Sequence, residues 1–180
     1  MSLPGTSYRY QSWQPVHPSN VNGSSIGTKA PYYGNIAVAA TLGNSKRNSI
    51  SVSNLPLAND TEAAYATYSN NILKRIAVIN MVSYNYTGNE NNVAARPSSN
   101  YTFQLPPACK GKVGVRRLMA NGSDAITGIT FDGYSYNYEL NNGLPVLLSN
   151  TSHGETTKVT NRQVSLTVPY SSAAILDLNC

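Results

Sequence analysis

From Ile50 onward, apolar residues recur at every second position, the period of a strand with one face turned inward. Ile50 and Val52 begin the series, and Tyr101, Phe103 and Leu105, then Val113 and Val115, continue it. Ile129 and Phe131, then Val164, Leu166 and Val168, and finally Ala174, Leu176 and Leu178 complete it. In one segment, Ile76, Val78 and Asn80 alternate with Ala77, Ile79 and Met81, so neither face is plainly polar. Asn121-Gly122, Asp132-Gly133 and Asn142-Gly143 fall between these runs, and such pairs tolerate the positive φ angles of tight turns. About seven to nine short strands at this spacing predict an antiparallel β-sandwich, with no internal repeat.

Upstream the period changes. Pro31 suits a first helical turn, Tyr33, Ile36, Ala37 and Ala40 follow the helical spacing, and Gly43-Asn44 supplies a stop. Before it, residues 14 to 31 hold Pro15, Pro18, Pro31, Gly23 and Gly27 within a Ser-Asn cluster, which reads as a solvated loop.

Composition narrows the class. With 180 residues and 41% hydrophobic content, the chain buries one core without metal or dense disulfides. Only 12% of its residues are charged, about half the usual share, and Asn, Ser, Thr and Tyr are abundant. That bias points to an extracellular all-β protein. The net charge of +5 is densest at Lys110, Lys112, Arg116 and Arg117, with smaller pairs at Lys46-Arg47 and Lys74-Arg75. No nucleic-acid motif or long basic stripe accompanies them, so the expected readings are a solvated face or an acidic polysaccharide partner.

Cys109 and Cys180 permit a single bridge, and in an oxidising compartment they have only each other. A zinc site would want four ligands, and His17 and His153 stand far apart, so neither metal nor cofactor is expected. Sequons at Asn22, Asn59, Asn85, Asn100, Asn121 and Asn150 are candidate glycosylation sites. No run is apolar enough to span a bilayer, and the residues after Met1 lack the charged and apolar regions of a secretion signal. In a chain of extracellular composition, that absence suggests that the true N-terminus lies further upstream.

The eight carboxylates, Asp60, Glu62, Glu90, Asp124, Asp132, Glu139, Glu155 and Asp177, are scattered and form no convincing acid–base pair. His153 has no nucleophile-elbow motif to serve and reads as a loop residue. Tyr134, Tyr136 and Tyr138 are spaced by two, so a strand would put all three rings on one face. There they would pack in the core or stack on sugar rings. Tyr8 and Tyr10 share that spacing ahead of Trp13-Gln14-Pro15, upstream of the helix.

Several segments taken together resemble one family. They are Tyr8-Arg9-Tyr10-Gln11-Ser12-Trp13-Gln14-Pro15 and Pro31-Tyr32-Tyr33-Gly34-Asn35-Ile36-Ala37-Val38-Ala39-Ala40, then Arg75-Ile76-Ala77-Val78-Ile79-Asn80-Met81 with Tyr84-Asn85-Tyr86. Val115-Arg116-Arg117-Leu118 and Gly128-Ile129-Thr130-Phe131-Asp132-Gly133 complete the set. In this order they look like the C-terminal part of fungal glycoside hydrolase family 79, the β-glucuronidase group related to heparanase.

The resemblance implies a (β/α)8 barrel followed by a β-sandwich that also receives a strand from before the barrel. Residues 1–47 would then be a remnant of the last β/α unit, one strand and one helix, and residues 48–180 the sandwich. Both catalytic glutamates of the family lie on earlier barrel strands, so no catalytic residue carries over. Tyr10 first, and Tyr8 second, match the family tyrosine that helps hold the glucuronate carboxylate, with barrel packing as the competing role. The implied partners are the missing barrel and glucuronate-containing glycans, with neither nucleic acid nor membrane. On this reading residues 1–44 lack the neighbours that would bury them. The rival readings are a stand-alone carbohydrate-binding module or a structural surface domain, and exposed, coplanar Tyr134, Tyr136 and Tyr138 would favour the binding module.

Overall fold

A computed structural model of the chain describes residues 13–14, 27–44, 46–86, 95–125 and 128–180. In chain order the elements are β1 (Trp13–Gln14), β2 (Gly27–Thr28), α1 (Ala30–Leu42), β3 (Ile50–Leu55), β4 (Glu62–Ser69), β5 (Ile72–Asn80) and β6 (Ser98–Gln104). There follow β7 (Lys112–Met119), β8 (Thr130–Phe131), β9 (Tyr134–Ser135), α2 (Tyr138–Asn141), β10 (Val146–Leu147), β11 (Glu155–Lys158), β12 (Gln163–Pro169) and β13 (Ser172–Asp177). Every pairing among them is antiparallel.

Two layers make a β-sandwich. The larger sheet runs β10-β9-β8-β7-β13-β5-β4-β3, and β11 shares with β8 the edge of β7 that β13 does not use. The smaller layer is the pair β6–β12. Strand alternation aims Tyr101, Val164, Leu166 and Val168 of the small layer at Ala64, Ala66, Ile76, Val78, Val113, Val115, Ala174 and Leu176 of the large one. Val78, Val113, Val168 and Leu176 are wholly buried. Truncating Leu176 to Ala at such a site typically costs about 2–5 kcal/mol.

Turn chemistry sets the registers. Consecutive positive φ angles at Asn70-Asn71, Asp132-Gly133 and Asn161-Arg162 are those of the two-residue turns whose twist matches the flanking strands. Asn142-Gly143 also has positive φ, but it ends α2 rather than joining two strands. Asn121-Gly122 departs from the expected turn, because the glycine answers a close approach instead. A Cβ on Gly122 would lie 2.6 Å from the Tyr84 carbonyl oxygen.

A disulfide joins Cys109 to Cys180, with Cα atoms 4.0 Å apart and a sequence separation of 71. Neighbouring bonds hold the same seam: the Lys110 amide donates to the Asn179 carbonyl, and Lys74 Nζ to that of Cys180. Across the sandwich, Arg117 on β7 grips Glu155 on β11 through two bonds of 2.6 and 2.7 Å and donates a third to the Thr167 carbonyl of β12. Tyr101, buried in the small layer, donates to Glu62 at 2.7 Å.

Two predictions follow from these ties. Reducing the disulfide, or replacing Cys109 with Ser, should lower the free energy of unfolding by about 4 kcal/mol, the chain-entropy cost of reopening a loop of this size. Urea titrations with and without reductant measure it, and coincident curves would refute it.

The second concerns pH. The Arg117 bonds hold the Glu155 carboxyl below its ordinary range, and the Tyr101 hydroxyl does the same for Glu62. Their stabilisation is present above the unfolded carboxylate range and is lost as pH falls through the lower folded values, below about pH 4. Burial, then the bond to Glu62, pushes Tyr101 up to about 12. Its contribution is whole below about pH 10 and disappears as pH rises through the folded value. Melting temperature against pH should therefore fall on both limbs, with Glu155→Gln flattening the acid limb and Tyr101→Phe the alkaline one.

Candidate functional site

Helix α1 contains no charged side chain, so its environment must be supplied by packing. Pro31 sits in its first turn, and Gly43, at φ 72°, ends it by donating its N–H to the Ala39 carbonyl. On one flank, Tyr33, Ile36, Ala37 and Ala40 lie against the outer face of the large sheet, where Ala77, Ile129, Phe131 and Ile175 form a second apolar cluster. The expectation that residues 1–44 lack neighbours therefore fails for α1. Tyr33 is only 1% exposed, and the sandwich itself covers it.

The buried hydroxyl of Tyr33 is satisfied three ways. It donates to Asn137 Oδ1 at 2.8 Å, accepts the Tyr136 N–H at 2.8 Å and shares a 3.1 Å bond with Ser135 Oγ. Burial pushes this phenol above its ordinary range. The Tyr136 ring stands edge-on to Tyr32 and Tyr33, at 6.4 and 5.9 Å between centroids. The Tyr136 carbonyl accepts the Thr28 hydroxyl at 2.7 Å. The N-terminal half of the helix is thus fastened to the segment after β9.

The other end meets charge. Asp177 on β13 lies between its two neighbouring strands and accepts Arg75 Nε from β5 at 3.1 Å, and Arg116 Nε and Nη2 from β7 at 2.6 and 2.8 Å. The same guanidinium groups reach the last turn of α1: Arg75 Nη1 to the Thr41 carbonyl at 3.4 Å, and Arg116 Nη2 to that of Ala40 at 3.3 Å. Carbonyls at a helix end lack partners within the helix, and cations there also suit its dipole. A Cβ on Gly43 would stand 2.7 Å from Arg75 Nη1, so a side chain there would collide with the clamp.

The basic cluster expected from sequence is thereby dispersed. Arg116 and Arg117 leave opposite faces of β7, each engaged with a carboxylate, and Lys110 and Lys112 remain exposed. The carboxylates likewise serve local bonds. Asp124 accepts the Tyr86 N–H, Glu139 accepts from Asn137, and Asp132 meets His153 Nδ1 at 3.2 Å. Among the described residues, no group of three or more His, Cys, Asp or Glu is arranged to hold a metal, and no helix is long and apolar enough to cross a membrane.

The three-tyrosine face also requires correction. Strand β9 ends at Ser135 and Tyr138 opens α2, so the period of two does not persist across the three rings. Tyr134 packs edge-on against His153 at 5.0 Å, while Tyr136 belongs to the α1 cluster, and all three are half-buried. They do not form the exposed coplanar platform of a binding module. Tyr8, Tyr10 and Asn22 lie outside the described residues. Asn59, Asn100, Asn121 and Asn150 are exposed, and Asn85 accepts the Ser123 hydroxyl at 2.7 Å. The Tyr33 and Asp177 networks escaped the sequence reading, because Tyr33 and Ser135, or Arg75 and Asp177, are about a hundred residues apart. The only local signal was charge at outward positions of otherwise apolar strands.

The model of the glycosyl hydrolase family 79 C-terminal beta domain matches residues 64–175. A β-glucuronidase of Aspergillus niger is 55% identical over 97% of this chain, and one of Neurospora crassa is 45% identical over 82% of it. Those alignments cover 32% and 30% of the relatives, so the chain spans about a third of their length. The crystal structure of a 4-O-α-L-rhamnosyl-β-D-glucuronidase from Fusarium oxysporum superposes with a TM-score of 0.66 at 20% identity. That match covers 84% of this chain and 30% of the other, and it supports the fold alone. With the family model matched across most of its length, on strands that form both layers of the sandwich, the chain belongs to glycosyl hydrolase family 79, as its C-terminal β domain.

Proposed function

We propose that this chain is the non-catalytic C-terminal part of a secreted fungal β-glucuronidase, and that its sandwich holds the catalytic barrel in place through α1. Residues 1–47 would complete the last β/α unit of that barrel, and residues 48–180 would stand beside it. One observation carries the reading: α1 has no charged residue, buries one flank on the sheet and leaves the other bare, with Val38 58% exposed. A helix with no charged face is normally covered on more than one side. Leu140, Leu144 and Leu147 add exposed apolar surface in and after α2, which adjoins β2 near the start of α1. A bare surface of this kind marks a contact with another layer.

In the longer enzyme, one carboxylic acid of the barrel protonates the glycosidic oxygen and a second carboxylate, ~5 Å from it, attacks the anomeric carbon with retention. The sandwich supplies neither group. On the family resemblance, Tyr10 would stand at the barrel strand end where such sites are built and would hold the glucuronate carboxylate through its hydroxyl, with Tyr8 the second choice.

The chain alone should not turn over an aryl β-glucuronide above background, whereas fusion to the upstream two-thirds of the Aspergillus niger relative should restore hydrolysis. Turnover by the chain alone, abolished by replacing one of its own carboxylates, would overturn the proposal. Val38→Lys in the fusion should cost several kcal/mol, the penalty of burying an unpaired ammonium, and lower the yield of active enzyme. In the isolated chain the same change should leave the melting temperature nearly unaltered. Tyr10→Phe in the fusion should raise KM for the glucuronide well before it affects the melting temperature, and an unchanged KM would remove Tyr10 from the substrate site.

A further inference from the structure

Of the described sequons, Asn100-Tyr101-Thr102 lies on a regular strand, and strand alternation divides its three residues between two faces. Tyr101 points into the core at 6% exposure, while Asn100 and Thr102 stand exposed together on the outside of the small layer. Opposite them on β12, Thr167 pairs with Asn100 and Ser165 with Thr102. The Thr167 hydroxyl donates to Asn100 Oδ1 at 2.6 Å, and the Thr102 and Ser165 hydroxyls share a 2.8 Å bond. This ladder fixes the Asn100 side chain by its oxygen. Its amide nitrogen, the atom that an N-linked sugar occupies, has no partner among the described residues.

The surroundings fit a sugar. A groove of about 610 Å³ runs along the ladder beside Thr156, Thr157, Arg117 and Glu155, and a second of about 340 Å³ opens towards Asn59 and Glu62. Asn100 and Thr102 line both. The other described sequons offer less: Asn59 donates its amide to Glu62, Asn85 accepts the Ser123 hydroxyl, and Asn121 and Asn150, both exposed outside the strands, have no groove described beside them. Moreover, β6 and β12 pair only with each other, so among the described elements both outer edges of this layer are unpaired, the usual template for unwanted strand addition.

We infer that Asn100 carries an N-linked glycan that lies over the hydroxyl ladder of β6 and β12 and screens the open edges of that layer. The inference rests on the secreted reading above, and the experiment separates the two. The chain is secreted from a yeast host, its glycans are removed enzymatically in heavy-oxygen water, and each sequon peptide is weighed. The expected result is heavy Asp at position 100 in most molecules. Label at other sequons with unmodified Asn100 would sink the proposal and leave the secreted reading standing, whereas no label at any sequon would overturn both. Asn100→Gln and Thr102→Ala should each lose one glycan and scatter more light on heating, while Thr102→Ser, which keeps the sequon, should behave as wild type. Equal scattering by all four proteins would refute the screening role.

Discussion

The large sheet is apolar on both faces along its central strands, and most of the molecule follows from that. Ile76 and Val78 of β5 face the small layer while Ala77 faces α1, and Leu176 and Ala174 of β13 oppose Ile175 in the same way. Antiparallel sheets more often leave one face to water. Here each face needs its own cover, and two strands serve one side and a single helix the other. A helix that covers a sheet while carrying no charge of its own passes the demand outward, which is why the bare flank of α1 has functional meaning.

Charge is scarce in this chain and is placed where it fastens layers. Asp177 joins three adjacent strands to a helix end through two arginines, and Glu155 joins β7 to β11 while its arginine reaches β12. Exposed ion pairs contribute little, but these are partly enclosed, doubly bonded and shared among elements, so removing one partner would unsettle several contacts together. The same placement bears on the absence of an acid–base pair among the described carboxylates: Glu62, Glu155 and Asp177 are occupied as fasteners.

Much of the fold was legible in the sequence. Pro31 and Gly43 bounded the helix closely, and the alternation of Val164, Leu166 and Val168 marked a strand with one buried side. Strand β11 was invisible because Glu-Thr-Thr-Lys has no apolar residue to reveal a period, and it exists by pairing with β7. The row of Tyr134, Tyr136 and Tyr138 misled because a period of two implies a shared face only while the strand lasts, and β9 is two residues long. The site was less legible than the fold, since its networks join residues from distant parts of the chain.

The position of β13 bears on how the domain is made. It is the last strand in chain order, yet it occupies the middle of the large sheet, hydrogen-bonded to β5 on one side and β7 on the other. A nascent chain leaving the ribosome therefore has β5 and β7 in hand long before the strand that unites them. Until then, two apolar strands carry open edges, the kind of surface that chaperones hold. Synthesis from N- to C-terminus cannot build this sheet outward from its centre, so the domain closes only after translation has passed Asp177.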